Sequence, residues 1–314
     1  MDTPFIYNKF VTGAEFVSRE YELNSFANMV RQGQHVLLYE PPKSGKKSLV
    51  QQGLMKLRNS GYHFNICNIN FFNIRTKKQL LQKYATTLFR NVTHSPQEYK
   101  ELQEKLFPKM EQYFGEKLDF SNPDTDTSSI PQEIEHSILN LPQAIAQELN
   151  SNIIIYLEEF QELLLLENPH QILAEMEKQF ASHNHVTYII TGSLVNSMKV
   201  IFEEKKYFYS FAERIKLYPL EIRALNEFYR KNFLKTGRVV SQELCTEMFH
   251  LTEGHPWYAQ QLGDISYSLT RGYLTPQVLN QSFLSLLELH SYRYQIITSR
   301  LSRFQINFLK AIMY

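Results

Sequence analysis

Three lysines and a glycine sit together in Glu40-Pro41-Pro42-Lys43-Ser44-Gly45-Lys46-Lys47-Ser48. An apolar run, His35–Tyr39, precedes them and a helix-like run, Lys47 to about Asn59, follows. The start of a helix exposes unpaired N–H groups and a partial positive charge, so anions bind there. Gly45 would let the backbone approach a phosphate closely, and Lys46 could bring a point charge to it. Against the phosphate-loop pattern G-x-x-x-x-G-K-[ST], two positions depart. Glu40 stands for the first glycine, and Lys47 for the hydroxyl residue that holds magnesium. Ser48 comes one residue late, about 100° around the helix. Solvated lysines at a basic helix start are the plain alternative. Lys43, Lys46 and Lys47 oppose the helix dipole, and a bound anion would relieve that, so a phosphate site is the preferred reading.

A second cluster lies about 110 residues later. The apolar strand Asn152–Leu157 ends in Glu158-Glu159. If this strand lies beside the loop strand, Glu158 could tether a hydrated magnesium ion and Glu159 could polarise a water. Glu is one methylene longer than the usual Asp, so the metal geometry would have to adjust. Acids in the first turn of a helix are the plain alternative. Third, the apolar strand Val186–Thr191 leads into Gly192 and Ser193. The hydroxyls of Thr191 and Ser193 could sense a terminal phosphate, or simply cap a strand end. Arg214 could stabilise transition-state charge or pair with a nearby acid, which is the favoured reading. His183 and His185 read as solvated rather than metal ligands. The aromatic-basic stretch 205–211 reads as sheet-edge packing against a lid rather than a base-stacking platform.

These residues need a scaffold. Strand-like runs at 35–39, 63–70, 152–157 and 186–191 alternate with helix-like segments, with a last short strand at 215–217. That order predicts a parallel sheet with helices on both faces. Segments 95–114 and 131–150 read as helices in a long insertion, around a polar loop at 121–129. Past Pro219 only helices are predicted, at 221–234, 242–251, 256–269 and 276–290. Another begins at Ser302 and runs to Tyr314 without a cap, as if the chain were part of something longer.

The 314 residues suit two domains or slightly more. Lys plus Arg is 33 and Asp plus Glu is 32, a formal charge of +1, so no global field draws the chain to nucleic acid or to an anionic membrane. Two distant cysteines, Cys67 and Cys245, exclude a disulfide framework and a zinc spacing. No apolar run approaches the ~20 residues needed to span a bilayer, and the first ten residues do not read as a secretory signal. A cytoplasmic location is expected.

Four pieces fall in a telling order: Phe16-Val17-Ser18-Arg19-Glu20-Tyr21-Glu22-Leu23, the Ser44-Gly45-Lys46 loop, Leu157–Leu163 (LEEFQEL) and Ile190–Ser193 (ITGS). Together with Thr252–Tyr258 (TEGHPWY), they resemble the archaeal-type P-loop ATPases of the AAA+/STAND group, over roughly residues 10–290. The resemblance implies an α/β nucleotide-binding domain (1–219, with the insertion at about 95–150), a helical lid (220–290) and the start of a winged helix (291–314). It implies ATP as ligand, with Lys43, Ser44, Gly45, Lys46, Lys47 and Ser48 at the phosphates and Val17 and Pro256 at the adenine. It places magnesium at Glu158, with Glu159 as base, although Lys47 argues against the ion. The departures concentrate where magnesium chemistry occurs, so the expected function is an ATP-dependent switch with slow or absent hydrolysis. The alternatives are a non-hydrolysing scaffold and a DNA-associated regulator. A protein partner or self-association is expected, DNA only through a downstream segment, and no membrane.

Overall fold

The computed structural model describes residues 3–115, 130–204 and 207–312. The polar loop expected at 121–129 lies outside them, as do Lys205 and Lys206. The chain divides into two compact units, Glu20–Leu217 and a second made of the first nineteen residues with Tyr218–Tyr314.

The first unit holds β1 (His35–Tyr39), β2 (Asn65–Asn70), β3 (Ile153–Glu158), β4 (Val186–Gly192) and β5 (Ala212–Arg214). Its helices are α1 (Glu20–Arg31), α2 (Lys46–Asn59), α3 (Lys77–Val92), α4 (Pro96–Leu106), α5 (Met110–Phe114), α6 (Gln132–Leu139), α7 (Leu141–Glu148), α8 (Pro169–Phe180) and α9 (Val195–Lys199). The strands form one parallel sheet in the order β2-β3-β4-β1-β5. β3 and β4 are buried along their whole length, as strands covered on both faces must be. Residues alternate between faces. Leu37, Tyr39, Ile153, Ile155, Leu157, Tyr188 and Ile190 join the core formed with α3 and α6–α8. Val36 and Leu38 therefore turn to the other face, where α1 packs on β1 and α2 packs on α1. That second contact is close: a Cβ on Gly53 of α2 would lie 2.3 Å from the Phe26 ring of α1.

Local chemistry explains three differences from the expected elements. Segment 131–150 is two helices, because Pro142 has no N–H and sits in the first turn of α7 after a break at Asn140. Segment 95–114 likewise breaks at Phe107, just before Pro108. The edge strand lies at Ala212–Arg214 rather than at 215–217; its residues are half-buried to exposed, so it carries no apolar signature. The Ile215 N–H still extends the ladder, donating to the Leu37 carbonyl at 3.0 Å.

The second unit contains α10 (Ile222–Leu234), α11 (Gln242–Thr252), α12 (Pro256–Leu269), α13 (Pro276–Ser299) and α14 (Arg303–Ile312). Ser241 and Thr275 cap α11 and α13 through their side-chain oxygens. α13 runs nine residues past the expected end at 290. The first residues of the chain belong here, not to the α/β domain expected over 1–219. The reason is Phe5: its buried ring packs against Phe228, Tyr229, Phe233 and Tyr267, with centroids 5.9–6.1 Å apart. The Trp257 indole N–H donates to the Tyr7 carbonyl at 3.2 Å, and Arg19 Nη1 to the Tyr218 carbonyl at 2.6 Å. Among the described residues no helix is long and apolar enough to cross a membrane.

Candidate functional site

In an open parallel sheet, ligands bind outside the carboxyl ends of the strands. Here those ends carry the loop after β1, Glu158 and Glu159 at the end of β3, and Gly192 and Ser193 at the end of β4. The expectation that β3 lies beside β1 is corrected: β4 runs between them and pairs with both. The Thr191–Ser193 turn therefore stands between the lysine loop and the acidic pair.

Gly45 precedes α2 with φ 93°, a left-handed conformation that glycine adopts without strain. Lys43 takes φ 69° in the same loop. The Ser44 hydroxyl oxygen is buried and has no hydrogen-bond partner among the described residues. The Lys46 ammonium folds back on its own loop, donating to the carbonyls of Glu40 at 2.6 Å and Pro41 at 3.0 Å. Desolvation pulls its pKa down to about 8, against the opposing pull of Glu159 and Glu40. Lys46 and Glu159 thus share one electrostatic site although they come from different loops.

Lys47 departs most from the expected scheme. Its ammonium lies 3.0 Å from each carboxylate oxygen of Glu158. The carboxylate expected to hold magnesium is paired with a lysine. Magnesium needs an octahedron of oxygen donors, and an ammonium stands where a hydroxyl oxygen is required. The loop fits the phosphates of a nucleotide; the Lys47–Glu158 pair does not fit the ion.

Glu159 has φ 55°, which a non-glycine residue holds only when its surroundings enforce it. Two neighbours hold its side chain. Its Oε2 accepts from Gln161 Nε2 at 2.6 Å and from Ser193 Oγ at 2.5 Å, and the Ser193 N–H donates to Gln161 Oε1 at 3.3 Å. Gln161 was not among the expected site residues, although it lies within LEEFQEL; a lone glutamine two residues past an acidic pair carries no signal of its own. Gly192 leaves room for it, since a Cβ there would lie 2.6 Å from Gln161 Oε1 and 2.4 Å from Met198 Sδ. Gly192→Ala should therefore displace Gln161, free Glu159 and cost about 2 kcal/mol of stability, measured by urea unfolding.

The remaining candidates sort by contact. Thr191 is buried and donates its hydroxyl to the Leu157 carbonyl at 3.3 Å, tying β4 to β3. Arg214 is engaged at the strand edge. Its guanidinium lies 3.7 Å from the Tyr39 ring centroid, 3.5 Å from Glu40 Oε1 and 3.4 Å from Glu203 Oε1. Glu40 is thus one half of an ion pair where the loop pattern has glycine. Tyr39 donates to Glu203, and burial followed by that bond pushes its pKa up to about 12. His183 is not solvated: it is buried, with Nδ1 2.7 Å from the Tyr188 hydroxyl. From the aromatic stretch, Phe208 and Phe211 pack onto Phe180 inside the α/β unit. Val17 and Pro256 both belong to the helical unit, Val17 in its apolar core and Pro256 at the start of α12.

No family model matches the sequence, and a comparison with curated proteins finds no match. Solved structures do match. The chain superposes on a Walker-type ATPase of Pyrococcus abyssi with TM-score 0.65 at 17% identity, covering 98% of this chain and 81% of that one. The Aeropyrum pernix ORC1 protein, solved in complex with DNA, gives TM-score 0.55 at 15% identity over 95% and 72% of the two chains. The Aeropyrum pernix ORC2 protein, solved as ADPNP–ADP complexes, gives 0.54 at 12% identity over 95% and 74%. With its parallel sheet and its loop between β1 and α2, this chain shares the fold of that Walker-type ATPase and of the two ORC proteins.

Proposed function

We propose that the protein binds ATP at the loop between β1 and α2 and acts as a nucleotide-dependent switch whose hydrolysis is slow or absent. The observation that supports this most is the convergence of the partly desolvated Lys46 ammonium and the restrained Glu159 carboxylate at the carboxyl end of one sheet. Ser44, with its buried unpartnered hydroxyl, adds a donor for a phosphate oxygen. The Lys46 ammonium exchanges a loop carbonyl for a phosphate, a stronger charge-assisted bond. Glu159 can accept a proton from a water, with Gln161 and Ser193 holding its other oxygen in place. Slow turnover follows from the Lys47–Glu158 pair, which leaves the terminal phosphate without the usual oxygen-held ion.

Titration with a labelled ATP analogue tests the binding. Lys46→Ala should weaken it about thirtyfold, the worth of a charge-assisted phosphate contact. The pH profile carries a separate sign. Phosphate favours the protonated amine, so affinity should be full below pH 8 and fall up to about tenfold per pH unit above it. A flat profile would remove Lys46 from the site. Phosphate release from the wild type, Lys46→Ala and Glu159→Gln tests hydrolysis, and an equal background in all three would leave a binding switch only. No binding at all would favour the scaffold reading. The DNA seen with the ORC1 protein suggests a duplex-binding assay at two salt concentrations, although a formal charge of +1 gives these residues little pull on phosphate backbones.

A further inference from the structure

We propose that the Lys47 ammonium is the resident cation of this site, and that the triphosphate binds without a divalent metal ion. This rests on the nucleotide reading above and specifies the form of the ligand. Three observations carry it. Lys47 stands in the first turn of α2, where the loop pattern requires a metal-binding hydroxyl. Its ammonium lies at the same distance, 3.0 Å, from both oxygens of Glu158. Glu158 is the last residue of β3, and its side chain is only 11% exposed, whereas that of Lys47 is 43% exposed.

The two sides of the pair therefore differ. The carboxylate is buried and already neutralised, so it has little left to offer a hard cation that must shed water to bind. The Lys47 side chain is the more solvent-exposed partner of the two, and so the one nearer to an anion arriving from solvent. A divalent ion at Glu158 would sit against a fixed like charge or have to expel it. A metal-free triphosphate brings more negative charge, and the loop meets it with Lys43, Lys46 and Lys47 at a helix N-terminus. Lysine supplies charge without an octahedron, so the site can hold phosphates without organising a metal-assisted displacement.

The test uses the full chain and a labelled ATP analogue, titrated in EDTA and again in millimolar magnesium. The wild type should give dissociation constants within about twofold of each other. Lys47→Thr should bind about tenfold more weakly in EDTA and recover in magnesium, because the hydroxyl and the released Glu158 restore an oxygen donor set. A tenfold or greater tightening of the wild type by magnesium overturns the inference and leaves the nucleotide reading intact. Undiminished binding by Lys47→Thr in EDTA also overturns it, since another group would then be the cation. No binding in either buffer overturns the nucleotide reading and this inference together. The wild-type comparison decides the matter even if the variant does not fold.

Discussion

Between pH 6.5 and 4 the α/β unit should lose on the order of 5 kcal/mol of stability, because two histidines must stay neutral to fold. Burial pulls His35 and His183 from the ordinary 6.5 to about 4, and their mutual repulsion adds to this at His183. The sign follows directly. Well above pH 6.5 both rings are neutral in the folded and unfolded chain, and neither opposes folding. As the pH falls through 6.5 the unfolded chain takes up protons that the folded chain refuses, with a slope that reaches at most about 1.4 kcal/mol per pH unit for each ring. The contacts agree with neutral rings. His35 Nδ1 accepts the Tyr188 N–H at 3.1 Å, which a protonated nitrogen cannot do, and the ring stacks on Phe211 at 4.2 Å. His183 lies near Phe180, Tyr188 and His35, and among the described residues its hydrogen-bond partner is the Tyr188 hydroxyl rather than a carboxylate. Urea unfolding across this range should show the loss, and His183→Gln should remove about half of the slope by leaving one ring to titrate. An unchanged slope would mean that carboxylates carry the acid sensitivity.

Phe180→Ala should cost about 4 kcal/mol, the upper range for truncating a buried aromatic. Phe180 ends α8, is fully buried, and stacks on Tyr188 with centroids 4.2 Å apart and planes 15° from parallel. Tyr84 stacks on it at 6.1 Å and Phe208 lies at 6.3 Å, so the void would open between the sheet and two covering segments. Rigid secondary structure lines that void and can collapse only in part. The chain's one tryptophan, Trp257, lies in the helical unit. Amide exchange on β3 and β4 therefore reports the loss in the α/β unit where tryptophan fluorescence does not. A cost below about 1 kcal/mol would mean that the aromatic cluster repacks freely.

Much of the scaffold was legible because burial on both faces leaves an unmistakable mark. HVLLY, NIIIYL and VTYIIT read as interior strands, and the observed β1, β3 and β4 fall on them within a residue or so at each end. The place of the lysine loop was legible because an apolar strand, a glycine and a helix start follow one another directly in the sequence. Other features left no such mark. β5 is a short edge strand whose residues meet solvent, so the more apolar 215–217 drew the prediction. His183 read as a loop residue because nothing in its neighbours announces Tyr188 as a partner. Gln161 took its role only from the meeting of two loops, 32 positions apart at Ser193.

By itself the sequence determined residue types, local periodicity and the order of the chemistry-bearing segments. Those are short-range properties, fixed by apolar spacing, caps and turn residues. The tertiary structure decided which strand ends lie side by side, and so put β4 between the lysine loop and the acidic pair. It also assigned Phe5 and its neighbours to the helical unit, and it joined Lys47 to Glu158 across 111 residues. Strand order and ion pairing are long-range properties. They depend on how whole faces pack, and a linear pattern records the faces without recording which of them meet.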